Sequence, residues 1–389
     1  MGWVGKSDRY SLIYLGEGKM TNQKILKVGL IGANVSYGWS PRAHIPALKA
    51  LPNIELAAIC TAHEDTAKAS AEKYDVPLAY WNYHELLANP DIDIVGVITR
   101  VPLHHDLTMD ALRAKKPVYT EWPLGSNINE AKNIAELAKS QNVPTLVGLQ
   151  ARQSPHHLYI KKLINDGFIG KTLSANLKVI NSGVLTRPSD RTWQRDVTLG
   201  ANTLTISFGH AIDALCMSLG EFDELAATVT TQVPQWYETD TNKYVDVTSP
   251  DNIAINGVLS NGVIVSAHTA SIPYHGSGMK MEIYGEEGTL VLETDGSAQM
   301  GGLNVYGGQK DDKELKVINI PNDLTLVPDI LLNTPSFNVG QMWINFGKNI
   351  TSGTKPTPDF NDALNRHKMI EAINISSLEN RKVKISEII

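Results

Sequence analysis

Among 389 residues there are only two cysteines, 7% aromatic residues, and 35 Lys plus Arg against 41 Asp plus Glu, for a net charge of −6. Each scarcity excludes something. Cys60 and Cys216 lie far apart in apolar surroundings. Two such thiols make no disulfide framework and no metal cage, and they fit a reducing, cytoplasmic setting. The histidines are not spaced as a zinc set either, so no metal is expected. A mildly acidic chain lacks the basic face that unaided nucleic-acid binding wants. No apolar run reaches the roughly 18 residues of a membrane span, which excludes a membrane partner of that kind.

What is present is ordinary for a soluble globular protein, with 42% hydrophobic and 20% charged residues. The length exceeds that of a typical single core, so two domains are expected. The opening stretch MGWVGKSDRYSLIYLGEGKMTNQ, residues 1–23, fits neither an element nor a signal peptide. Its SLIYLG run is too short for a secretory segment, and no small-residue cleavage site follows. Met20 is a natural start, and residues 1–23 read as a tag or N-terminal extension with no role in the fold.

From residue 24 to 150 strand and helix alternate: ILKVGLIG, SPRAHIPALKALP, IELAAIC, DTAKASAEKYDV, IDIVGVIT, HHDLTMDALRAK, PVYTEW, NINEAKNIAELAKSQ and PTLVGLQ. Strands apolar on both faces, separated by helices, specify an α/β domain with a doubly wound parallel sheet. Such sheets bind ligands at the carboxyl ends of their strands. The first strand-to-helix turn, GLIGANVSYGWSP, keeps Gly32, carries Asn34 at the second glycine position and brings Gly38 one residue late. Asn tolerates left-handed angles, and Ser40 as cap with Pro41 behind it would open the next helix. A degraded dinucleotide-binding turn is the expectation. After the second strand the ribose-binding acid is replaced by Thr61, with His63 nearby, so either NAD or NADP is permitted.

Residues 151–389 change rhythm. ANLKVINSG, ELAATVTTQV, NIAINGVLSNGVIVSAHTASI, KMEIYGEEGTLVLET and LKVINI read as strands. Gly200 to Gly220 is the one helical stretch among them, and helices at FNVGQMWINFGKNITSG and FNDALNRHKMIEAINISSLENR close the chain. The expectation is an α+β domain with a large open, mainly antiparallel sheet, its last helix packing back near the domain junction. Because VIVSA is apolar on both faces, the exposed sheet face is expected to pair copies into a dimer or tetramer.

Gly29 and Gly32, His104 in RVPLHHD, Glu121 and Pro123, Arg152 in LQARQSP, His210 to Asp213, GEEGTL and DALNRHKMIEA stand in an order that resembles the glucose–fructose oxidoreductase / inositol dehydrogenase (GFO/IDH/MocA) family. GANVSYGWSPRAH, EWPL, LQARQSP and TISFGH are most similar to its subgroup of fungal galactose-pathway repressors. The resemblance implies a Rossmann-type domain followed by a substrate domain, and oxidation or reduction of sugars, polyols or related alcohols with NAD(P). It also implies three catalytic residues, of which this chain keeps one. The lysine of the Glu-Lys-Pro segment is Trp122, the aspartate four before the histidine is Ile206, and the histidine is His210.

Alcohol oxidation needs a hydride acceptor and a group that takes the hydroxyl proton. His210 is the remaining base, and Trp122, whose indole cannot relay a proton, is expected to shape the pocket. Cofactor contacts are expected from Gly32, Asn34, Thr61, His104, Glu121, Trp122, Gln150 and Arg152, the alternative for His104 being a mere surface pair with His105. Asp213 is read as a capping or helix-packing residue. Trp193, Trp236, Tyr237, Tyr274 and His275 lie in loops that suit a sugar cleft, and Arg187, Arg191 and Arg195 would meet an acidic substrate or only water. Two functions compete: an NAD(P)-dependent oxidoreductase of a small hydroxylated substrate, and a non-catalytic dinucleotide-binding regulator. A redox-neutral NAD-dependent glycosidase or epimerase is a third.

Overall fold

The protein is described by a computed structural model covering residues 10–15, 19–35 and 38–389. Most of the opening stretch and the turn residues Ser36 and Tyr37 lie outside the described residues. Tyr10–Leu15 and Lys19–Lys24 nevertheless pair as an antiparallel hairpin that joins no other sheet. The sequence reading found no element there; Tyr, Leu and Ile in YSLIYL are strand formers.

Six strands build the first sheet, in the order Leu78–Tyr80, Ile54–Cys60, Leu26–Ile31, Ile94–Val97, Val118–Thr120, Thr145–Val147, all parallel. The chain order reverses between Leu26–Ile31 and Ile94–Val97, so the crevice at their carboxyl ends is the place where such a sheet takes a ligand. The strands are buried on both faces because helices cover both. Leu107, Leu112 and Ile134 lie on one side. On the other, Ile45 and Leu48 are joined by Val339, Met342, Trp343 and Phe346 from the helix Phe337–Ser352. The first sheet's core is thus completed by residues from near the end of the chain.

The second sheet has nine strands, in the order Lys316–Val317, Asn304–Gln309, Gly288–Thr294, Gly278–Gly285, Thr172–Ser182, Ile264–Ile272, Asn252–Leu259, Phe222–Thr230, Val383–Lys384. Only Thr172–Ser182 and Ile264–Ile272 run parallel; the other pairs are antiparallel. Leu177, Val179, Val265 and Met281 point inward onto Phe208, Ile212 and Leu215 of the helical segment Thr203–Leu219. A three-stranded sheet of Thr186–Arg187, Gln235–Glu238 and Lys243–Asp246 sits beside it.

Three differences from the sequence reading matter. Pro155–Asn165 is a helix, started by Pro155 and spaced apolar at Leu158, Leu163 and Ile164, where no helix was expected. Asn304–Gln309 is a strand despite its two glycines. The outer sheet face is not apolar: Val265 and Ala267 turn inward, while Asn176, Lys178, Ser266 and His268 face solvent beside Ile264. The period of two, not continuous hydrophobicity, describes that strand, and the physical case for self-pairing through it falls. Among the described residues no helix is long and apolar enough to cross a membrane.

Candidate functional site

At the mouth of the first crevice Gly32 has φ +93°, and a Cβ there would lie 2.3 Å from the Ile98 carbonyl oxygen. The position therefore needs glycine on both conformational and steric grounds. Its carbonyl accepts the Asn34 N–H at 3.0 Å and the Ser40 hydroxyl at 3.2 Å. Ser40 is therefore not the cap that the sequence suggested. The helix starts after Trp39 with no side-chain cap, which leaves its positive dipole end toward the crevice. At the end of the second strand Thr61 bonds through its hydroxyl to the His63 carbonyl and to Thr66. Among the described residues, the position that follows this strand is Thr61, neither an acid that would repel a 2′-phosphate nor an arginine that would hold one.

His104, expected to touch the dinucleotide, is buried with its two ring nitrogens against the Pro123 and Thr99 carbonyls at 2.7 and 3.1 Å. Burial holds its pKa down against the pull of those two carbonyls. The ring pins the turn after Ile94–Val97 to the Trp122-Pro123 segment and keeps no polar atom for a ligand. His105 pairs with Asp106 instead.

Glu121 ends the fifth strand inside a buried chain of hydrogen bonds. The Trp343 indole donates to His44 Nδ1 at 3.1 Å, which leaves His44 Nε2 as the donor to Glu121 at 2.7 Å. Gln150 Nε2 donates to both carboxylate oxygens at 3.0 and 2.9 Å, while Gln150 Oε1 is buried without a partner. His210 comes from across the junction. Its pKa is pushed down to about 4 by burial, against the upward pull of Glu121 and Asp213. It is therefore a neutral imidazole at physiological pH, and its Nδ1 has no partner.

Trp122 does not face open space. Its indole donates to the Thr205 carbonyl at 2.7 Å and packs on His367 at 4.8 Å. It also presses on Gly209, where a Cβ would lie 2.8 Å from the indole nitrogen. With its single polar atom bonded, Trp122 keeps no donor for substrate or nicotinamide; it wedges the first domain against the helix that carries His210. That helix begins with a wider π-type segment, Thr203–Phe208, capped reciprocally by Asn202 and Thr205.

Arg152 supports neither Glu121 nor the crevice. Its guanidinium grips Asp213 through two bonds of 2.8 Å and Asp362 at 3.0 Å. Arg366, fully buried, reaches the same Asp213 at 3.3 Å and Glu221 at 3.0 Å. Asp213 is thus a helix-packing residue, as its position suggested.

Beside Ile206 and Ser207, on the turn that precedes His210, lies a cavity of about 220 Å³ lined also by Arg187, Arg191, Asn202 and Trp236. Of the loop residues expected near a cleft, Trp236 reaches this cavity, and Trp193 lies under Arg100 at 5.6 Å. Tyr237, Tyr274, His275 and Arg195 are not among its lining. The sequence reading missed His44, Trp343, Arg366 and His367. All four lie within stretches quoted above, but their partners are too distant in sequence to be read there.

Gly32 without room for a side chain, an uncapped helix start and the orphaned Gln150 Oε1 fit a dinucleotide laid across the crevice. The comparisons agree with that geometry. Residues 26–149 match the oxidoreductase family with an NAD-binding Rossmann fold, and residues 155–294 match the C-terminal domain of Gal80p. The dehydrogenase aclE of Aspergillus oryzae is 33% identical over 250 residues, 61% of this chain and 68% of that protein. Two solved structures share the fold. A Saccharomyces cerevisiae Gal80p super-repressor mutant has TM-score 0.84 at 24% identity, covering 93% of this chain and 98% of that one. Levoglucosan dehydrogenase with NADH and L-sorbose has TM-score 0.80 at 22% identity, covering 92% and 98%. Rossmann domain, open-sheet domain and the segment from Glu121 to Pro123 thus place the chain as a member of the GFO/IDH/MocA oxidoreductase family.

Proposed function

We propose that the chain is an NAD(P)-dependent oxidoreductase of a small hydroxylated, sugar- or polyol-like substrate, with His210 as its base. The observation that carries this reading is the buried, neutral His210 with an unpartnered nitrogen, one turn from a cavity. A bound NAD or NADP would accept the hydride that leaves the carbinol carbon. Gly32, Asn34 and Thr61 would hold it, with Gln150 and Glu121 at its nicotinamide end. His210 takes the hydroxyl proton as the carbonyl forms. The resulting imidazolium is stabilised through space by Glu121, which His44 and Gln150 hold in place. Glu121 thereby stands in for the carboxylate that Ile206 removed. Trp122 fixes the distance between the two domains.

A second reading is supported by the match of residues 155–294 to Gal80p and by the loss of the family lysine. In it the chain binds dinucleotide without turning anything over. One experiment separates the two. NAD and NADP binding is measured by calorimetry, and NAD(P) reduction is then followed over a panel of sugars and polyols. The oxidoreductase reading expects turnover that His210→Ala lowers by about 10²–10⁴-fold. Dinucleotide binding with no turnover on any compound selects the regulator; no binding of either dinucleotide sinks both.

A further inference from the structure

The cavity beside Ile206 holds two cations and no anion for them. Arg187 lies over the Trp236 ring, 4.0 Å from its centre, and one of its terminal nitrogens donates to Gln194 Oε1 at 2.6 Å. Its Nε is buried with no partner, and so is the Trp236 indole nitrogen. Neither Arg187 nor Arg191 forms an ion pair among the described residues. The one carboxylate in the cavity wall, Asp251, accepts the backbone N–H groups of Gln232 and Val233. Burial first, and then the charge of Arg191, push Arg187 down to about 10, and no carboxylate offsets them.

We propose that this cavity receives the carboxylate of an acidic polyhydroxy substrate, held by Arg187 and Arg191 with the Arg187 Nε and Trp236 indole donors. The proposal rests on the oxidoreductase reading and names its substrate class. A planar guanidinium matches a carboxylate fork to fork, and an anion here removes both the repulsion between the arginines and the two orphaned donors. The cavity wall includes Ile206 and Ser207, four and three residues before His210 on the same helical segment, so a sugar acid bound by its carboxylate would extend its hydroxyl-bearing carbons along that turn to the base. From the first domain, Arg100 donates to the Asp190 carbonyl at 2.9 Å. That bond ties the turn bearing Arg191 to the end of the fourth strand, beside the dinucleotide crevice.

The test uses the NADH-loaded full chain in low-chloride buffer. Calorimetry with glucuronate, gluconate and tartrate is set against glucose and glucose 6-phosphate. At least one carboxylate is expected to bind 10-fold or more tightly than glucose. In Arg187→Met and Arg191→Met that preference should fall by about 10–100-fold, the loss for a charge-assisted contact. Circular dichroism confirms that each variant is folded. Equal binding of acids and glucose, or a preference that survives both substitutions, overturns the proposal. Glucose 6-phosphate bound more tightly than every carboxylate also overturns it and assigns a phosphate. NADH binding, measured first, tests the reading beneath: its failure removes both, whereas NADH binding without acid preference removes this inference alone.

Discussion

Two arginine pairs lie beyond residue 150 of this chain, and they are built in opposite ways. Arg152 and Arg366 share Asp213 and add Asp362 and Glu221; the carboxylates hold both guanidiniums well above their ordinary pKa, against the cost of burial. Arg187 and Arg191 line a cavity with no carboxylate turned to them, and Arg187 is pushed down instead. The first pair closes its charge account within the chain and so belongs to architecture. The second leaves it open, and an open account in a cavity is what a ligand closes.

That contrast breaks most violently at Asp213. Asp213→Asn would take from Arg152 and Arg366 the anion they share, leaving each with one outlying carboxylate, Asp362 and Glu221. A stability loss of about 3–5 kcal/mol is expected by urea unfolding; a loss under ~1 kcal/mol would show that the cluster is no more structural than the cavity.

Acid gives the next largest effect and spares every arginine. Burial lowers His157 and His210 to about 4 and His367 to about 3, from an ordinary 6.5. The unfolded chain therefore binds more protons as pH falls below 6.5. Stability is fully present above that value and drains away toward pH 4, by on the order of 1 kcal/mol per histidine near pH 5. A urea midpoint that stays flat from pH 7 to pH 5 would contradict the buried, neutral histidines.

A smaller change sharpens the comparison from the other side. Gln194→Glu would place a carboxylate where the Arg187 guanidinium already donates. Stability should rise by about 1 kcal/mol, discounted for partial exposure, and acid binding in the cavity should drop. The smallest effect is that of Arg187→Met without ligand. No carboxylate is left behind, so stability should change by no more than about 0.5 kcal/mol, in contrast to the damage at Asp213.

How much of this was legible depends on range. The parallel sheet could be read because IELAAIC or IDIVGVIT advertises burial on both faces within seven or eight residues. The second sheet was legible as strands, but the inward turn of Val265 and Ala267 beside an outward Ile264 was read as a two-sided apolar run. Glu121 and His210 stand out in the sequence because local motifs flank them. The His44–Glu121 bond spans 77 residues, Arg366–Asp213 spans 153 and Trp343–His44 spans 299. No periodicity encodes such pairs. The partners of Trp122 are illegible for the same reason: the Thr205 carbonyl and the face of His367 that receive it are made by distant segments.

The position of Trp343 in the first domain's core has a consequence for how the protein is made. A ribosome at ~5–20 residues per second completes the strand Thr145–Val147 some 10–40 s before Trp343 and Phe346 emerge. Until then one side of the parallel sheet, at Val28, Leu30 and Tyr119, has only the short helix of Ile45 and Leu48 as cover, and His44 lacks the indole that fixes its tautomer. The half synthesised first is therefore among the last to settle, and its exposed apolar side is a target for chaperones in the interval. Nascent chains stalled before Phe337 should be cut by protease between residues 26 and 147, and chains released past Ser352 should resist.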